Sequence, residues 1–236
     1  MKNAAVVNPY PMTVAQQHAE AVLFDCDGLL LDTEPLQALA ERCFLLSLGG
    51  IWYHRPHVLS PGRSIPDTAA LLAREAGVDM PDDEAAAQLL HYFGRATEWA
   101  SLPLMPGAAA LLDTLDETGT TLAITSNLPE PLLGRLLDEA GLRGRFVVAV
   151  GAGGDLAPKP APDVHRAACS LLGVAPEKAH ALESSQPGVD AAHAAGLAVT
   201  GVAADPLQLN GCRQVGWLGS LTPQHLGVAV HGLPRG

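Results

Sequence analysis

A chain of 236 residues is long enough to bury a sizeable core, and its length suits one domain carrying an insert. Its net charge of −11 argues against nucleic acid or an anionic membrane surface as a partner. No apolar run reaches the ~18 residues of a membrane span, which excludes a transmembrane helix on sequence grounds.

Apolar residues make up 48% of the chain and aromatics only 4%, so Ala, Leu and Val must fill the core. Residues 1–19 are polar, contain two prolines and lack a continuous apolar stretch. They read as a loose tail and not as a secretory signal, and Met12 is a possible second start. The four cysteines, Cys26, Cys43, Cys169 and Cys212, form no CxxC pair, which suits reduced thiols and a cytoplasmic location. Only three lysines occur, Lys2, Lys159 and Lys178, so the position of each is informative if an anion is to be held.

The first element is the short apolar run 21–24, a buried-strand pattern ending at Asp25, with Gly28 just beyond. Residues 35–102 read as nearly all helix, with helical spacing over 35–49 and 82–100. Between those stretches Ser64 caps a helix that has Pro66 and Asp67 in its first turn. After Pro106-Gly107 strands and helices alternate. Strands are predicted at 121–125, 146–150, 180–183 and 197–202, and helices at 129–141, 162–173 and 187–196. From residue 204 the sequence suggests one or two edge elements and a short helix starting at Thr222. The predicted fold is α/β, a parallel Rossmann-like sheet with an all-helical insert after its first strand.

In such a sheet all strand C-termini lie on one edge, where ligands bind. Asp25 and Asp27 end the first strand there, Ser126 and Asn127 the second, and Glu183 a later one. Lys159 falls in the loop after the strand at 146–150. These residue types suit phosphoryl transfer. One carboxylate can attack phosphorus and another can protonate the leaving oxygen. The hydroxyl of Ser126 and an amide can hold phosphoryl oxygens, an ammonium offsets charge, and acidic groups can hold Mg²⁺. Taken singly, a DxD after a strand could equally be a turn and a loop lysine merely solvated. Their order and placement at strand ends favour a site.

The stretch VLFDCDGLLLDTEPL resembles the first motif of the haloacid dehalogenase-like (HAD) superfamily, in its phosphatase and beta-phosphoglucomutase branch. ITSN, PKPAPDVH and LESSQPGVDAAHAAG resemble the second, third and fourth motifs. The resemblance spans about residues 20–203. It implies a core formed by 20–34 and 103–236, and a helical cap at 35–102 closing over the site. It also implies Asp25 as nucleophile, Asp27 as general acid/base, and Mg²⁺ held by Asp25, Asp27 and Glu183. The expected substrate is a small phosphorylated metabolite, with Asn127 and Arg63 contacting it. Nothing in the sequence sets the oligomeric state.

Two positions depart from the family pattern. Where the fourth motif usually reads Glu-Asp-Ser, this chain has Glu183-Ser184-Ser185, so Ser184 stands in place of an acidic metal ligand and metal binding should weaken. Gln37 replaces a histidine of the mutases, which favours a plain phosphatase. Ser184-Ser185 also leaves open a metal-independent haloacid dehalogenase, although such enzymes usually lack the second aspartate. A catalytically silent member that binds a phosphorylated ligand is the other alternative. Asp32, Thr33 and Glu34 read as hinge structure, Cys26 as packing, Asp190 as helix surface, and His54 with His57 as cap surface.

Overall fold

The computed structural model describes residues 18–52, 63–98, 102–205 and 209–229. Most of the expected tail lies outside those residues, as do Met12, His54 and His57. In chain order the elements are β1 (Ala21–Phe24), α1 (Glu34–Ser47), α2 (Ile65–Glu75), α3 (Asp82–Ala96), α4 (Ala108–Glu117), β2 (Thr121–Ser126), α5 (Glu130–Glu139), β3 (Val148–Gly151), α6 (Asp163–Leu172), β4 (Ala179–Glu183), α7 (Gln186–Ala195), β5 (Ala198–Val202) and β6 (Arg213–Val215). The six strands form one parallel sheet in the order β3-β2-β1-β4-β5-β6. Among the described residues no helix is long and apolar enough to cross a membrane.

The central strands are covered on both faces, which explains their continuous apolar character. In β1, Val22 and Phe24 join a Leu- and Phe-rich cluster with α4 and α5, while Ala21 and Leu23 join an Ala- and Val-rich cluster with α6 and α7. Small side chains on the second face let α6 and α7 lie close to the sheet. Helices α1, α2 and α3 pack on one another, α3 touching both partners, and their buried leucines and phenylalanines continue the first cluster. Ser64 caps α2 as its sequence suggests, its hydroxyl accepting the Asp67 N–H.

Strand order fixes the site. From β1 the chain runs outward to β2 and β3 on one side, then returns to start β4 on the other side of β1. Between β1 and β4 the direction of winding reverses, leaving a crevice at the strand C-termini. The Asp25 N–H donates to Leu182 O at 2.9 Å, tying the residues after both strands together.

Two elements differ from the sequence reading. β3 begins at Val148, two residues later than expected, because Val147 is exposed and precedes the paired segment. Helix α4 was not anticipated, although its Ala and Leu residues at 108–115 pack inward at helical spacing. The segment after Thr222 is a 3₁₀ turn, Pro223–Leu226, capped by Thr222.

Candidate active site

Asp25 and Asp27 follow β1 as its hydrogen bonding ends, and at the sheet rim Asp25 is buried and Asp27 half-buried. The Asp25 Oδ1 accepts from Lys159 Nζ at 3.0 Å and from the Cys26 N–H at 3.0 Å. Its Oδ2 accepts from the Ser184 hydroxyl at 2.8 Å. That hydroxyl also lies 3.0 Å from the carbonyl oxygen of Asp27.

Lys159 is 4% exposed, and its ammonium is fully engaged. Besides Asp25 it donates to Thr125 O at 3.0 Å and to Glu183 Oε1 and Oε2 at 2.8 and 3.0 Å. The Asn127 amide clamps the lysine backbone from both sides, Oδ1 accepting the Lys159 N–H at 2.7 Å and Nδ2 donating to Lys159 O at 3.3 Å. A side chain after β2 therefore fixes the loop after β3.

These groups open onto a cavity of about 740 Å³ lined by Asp25, Asp27, Asn127, Lys159 and Ser184 from the sheet edge. Arg63, exposed just before α2, lines it from the helical side. Two expected residues sit elsewhere. Ser126 is fully buried and donates to Asp27 Oδ2 at 3.0 Å while accepting the Leu128 N–H, so its hydroxyl serves Asp27 and does not reach the cavity. Glu183, expected as a metal ligand, is fully buried too and does not line the cavity, and both its oxygens accept from Lys159, whose counter-ion it is.

Sequence reasoning missed His165. Its Nε2 lies 2.8 Å from Glu183 Oε1, so a neutral imidazole protonated at Nε2 donates there. Nδ1 is then a bare, buried acceptor with no partner among the described residues. The signal was a histidine on the inward face of α6, two residues after Asp163 in PKPAPDVH.

With this geometry in view, residues 19–196 match the profile of the haloacid dehalogenase-like hydrolases. The chain belongs to that family. Protein CbbY (plasmid) of Cupriavidus necator is 30% identical over 192 residues, covering 75% of this chain and 76% of the relative. A phosphoglycolate phosphatase of Pseudomonas putida is 34% identical over 191 residues, covering 77% of this chain and 68% of the relative. The crystal structure of CbbY from Rhodobacter sphaeroides in complex with phosphate has a TM-score of 0.76 at 26% identity, covering 89% of this chain and all 100% of that one.

In this haloacid dehalogenase-like chain burial raises both rim aspartates, against different partners. Burial, reinforced by Glu183 and Asp27, outweighs the Lys159 ammonium and pushes Asp25 up to about 7. Burial also raises Asp27, opposed by Thr33, Ser126, Lys159 and Gln37. Its Oδ1 completes no hydrogen bond of ordinary geometry even though Thr33 and Gln37 approach the carboxylate. Burial disfavours charge on Lys159, but Asp25 and Glu183 overcome it and hold the ammonium protonated. Glu183 is lowered, because Lys159 and the His165 hydrogen bond override its burial. Burial lowers His165 and keeps it neutral despite Glu183. The thiol of Cys26 is driven far up by burial and its two acidic neighbours, which leaves it inert.

The family implies Mg²⁺. The oxygens converging on Ser184, namely Asp25 Oδ2, Asp27 O and Ser184 Oγ, are hard donors of the kind Mg²⁺ prefers. Of the three only Asp25 carries formal charge, and among the described residues no cluster of three or more His, Cys, Asp or Glu side chains is arranged to hold a metal. The donor chemistry fits, with one negative charge fewer than an aspartate at 184 would supply.

Proposed function

We propose that this hydrolase is a phosphomonoesterase acting on a small phosphorylated metabolite, with Asp25 as covalent nucleophile. What supports it most is the difference in partners between the two rim carboxylates. Asp25 faces the cavity with Oδ1 held by the Lys159 ammonium, while Asp27 accepts the Ser126 hydroxyl at Oδ2, and burial raises both carboxyls. The phosphoglycolate phosphatase relative and the phosphate bound to the Rhodobacter CbbY agree with this chemistry.

In the first half-reaction an Asp25 carboxylate oxygen attacks phosphorus and the bond to the alcohol oxygen breaks. Asp27 gives its proton to that leaving oxygen, so the alcohol departs neutral. In the second, ionised Asp27 takes a proton from water, whose oxygen attacks phosphorus and frees the Asp25 carboxylate. Ser126 aims Asp27, and Lys159 balances the charge of the nucleophile. Asn127 keeps Lys159 in register, and Arg63 is the expected contact for the substrate from the helical side. Helices α1 to α3, within residues 35–102, form the cap under which the substrate sits, with 20–34 and 103–236 as the core. Mg²⁺ would be held by Asp25, the Asp27 carbonyl and Ser184, and when bound it supplies further positive charge against the phosphoryl oxygens.

Turnover of p-nitrophenyl phosphate across a Mg²⁺ titration tests the reading. The expected result is phosphate release by the native chain and none by Asp25→Asn. Equal turnover by the variant would overturn it. Ser184, bonded to Asp25 as a neutral group, favours one rival, metal-independent hydrolysis at carbon. Chloride release from a chlorinated acid, with no phosphatase activity, would establish that rival.

A further inference from the structure

Helix α1 turns one face into the cavity. Glu34, Gln37, Ala38 and Glu41 all line it, at the i, i+3, i+4 and i+7 spacing of a single helical stripe. Gln37 approaches Asp27, so Glu41 lies one turn, about 5–6 Å, farther along from the group that protonates the leaving alcohol. Glu41 has no hydrogen-bond or ion-pair partner among the described residues. The elements packed beside α1 bring Leu89 and Phe93 of α3, Ile65 and Thr68 of α2, and Trp52 to the same cavity, none of them titratable. Burial pushes the carboxyl up to about 7.

A partly buried carboxyl in mostly apolar surroundings, aimed into a ligand cavity, marks a place where a ligand donor belongs. The charges of the cavity say which donor. Among the described residues five lining carboxyls, Asp25, Asp27, Asp32, Glu34 and Glu41, accompany two cations, and Lys159 is already committed to Asp25 and Glu183. A substrate phosphate adds more negative charge. The other described cation of the lining, Arg63, is exposed, whereas Glu41 is partly buried. A second anionic group on the substrate would meet Glu41 with repulsion, and a protonated amine would give it a charge-assisted hydrogen bond. Trp52 and Phe93 provide aromatic surface that tolerates a cation.

We propose that Glu41 is a specificity-determining residue, and that the substrate is a phosphate monoester whose leaving alcohol carries a protonated amine, seated against Glu41. The proposal rests on the phosphatase reading above and adds the substrate class.

The test compares kcat/KM near neutral pH for glucosamine 6-phosphate against glucose 6-phosphate, and for phosphoethanolamine against phosphoglycolate, in the native chain and in Glu41→Gln. The aminated member of each pair is expected to be favoured by about tenfold, and the substitution to bring each ratio close to one. Ratios near one in the native chain, or a preference that survives Glu41→Gln, would overturn the proposal. Turnover of p-nitrophenyl phosphate by the native chain separates the two levels, since its absence counts against the phosphatase reading itself. Calorimetric titration of the same sugar pair into Asp25→Asn, with and without Glu41→Gln, then decides the amine preference from binding alone. Equal affinity for both sugars would refute it.

Discussion

The Ser184 hydroxyl donates to Oδ2 of Asp25 at 2.8 Å. One hydroxyl proton serves this oxygen and the Asp27 carbonyl 3.0 Å away, a neutral link that an aspartate at 184 would replace with a charge. Ser184→Asp is expected to lower the Mg²⁺ concentration needed for half-maximal activity by about 10-fold or more. A metal titration of phosphatase activity measures this, with Mg²⁺ affinity by calorimetry as a readout independent of turnover. An unchanged requirement would show that residue 184 does not govern metal binding.

Lys159 holds two buried carboxylates together at 2.8–3.0 Å. Replacing it with Met leaves Asp25 and Glu183 without their shared counter-charge, a loss of ~3–5 kcal/mol for breaking a buried pair. Urea denaturation of Lys159→Met should register that loss at neutral pH. It should shrink at low pH, where both carboxyls take up protons.

On the proposed mechanism Asp25 must be ionised to attack. With Asp25 pushed up to about 7, kcat/KM should fall as pH drops below about 7. Stability carries the opposite slope. Folded Asp25 binds its proton more tightly than the unfolded chain, whose value is near 3.8. Its contribution is therefore fully present below that value and is lost as pH rises through about 7. Denaturation midpoints at stepped pH should show this decline in the native chain and a shallower one in Asp25→Asn.

Glu183 is confined on two sides besides Lys159. The His165 imidazole donates to it, and Gly188 at the start of α7 packs so closely that a Cβ there would overlap Oε2. His165→Phe removes a buried hydrogen bond and should cost ~1–3 kcal/mol of stability. Gly188→Ala should destabilise through backbone shift or displacement of the carboxylate. Thermal melts compare the two.

Much of this architecture was legible because local and global signals agree. The apolar run before Asp25 is β1 to the residue, since a strand buried on both faces must be continuously apolar. Ser64 announces α2 because its capping hydrogen bond is local. Long-range partnerships were harder. Nothing near Ser126 reveals that its hydroxyl turns toward Asp27, 99 positions away. The acidity of Glu183 suggested a metal ligand, and only packing shows both oxygens spent on Lys159. His165 and Glu41 were passed over because each sits in an ordinary helical pattern, and only packing shows the first buried and the second half-buried.

The most direct test of the central claim is to trap the covalent step. The protein is incubated with a phosphomonoester that it turns over, quenched in acid, digested and mapped by mass spectrometry. The account predicts one phosphoryl group on the peptide containing Asp25, absent from Asp25→Asn. Steady turnover with that peptide unmodified, or with the phosphoryl group on another residue, would contradict it.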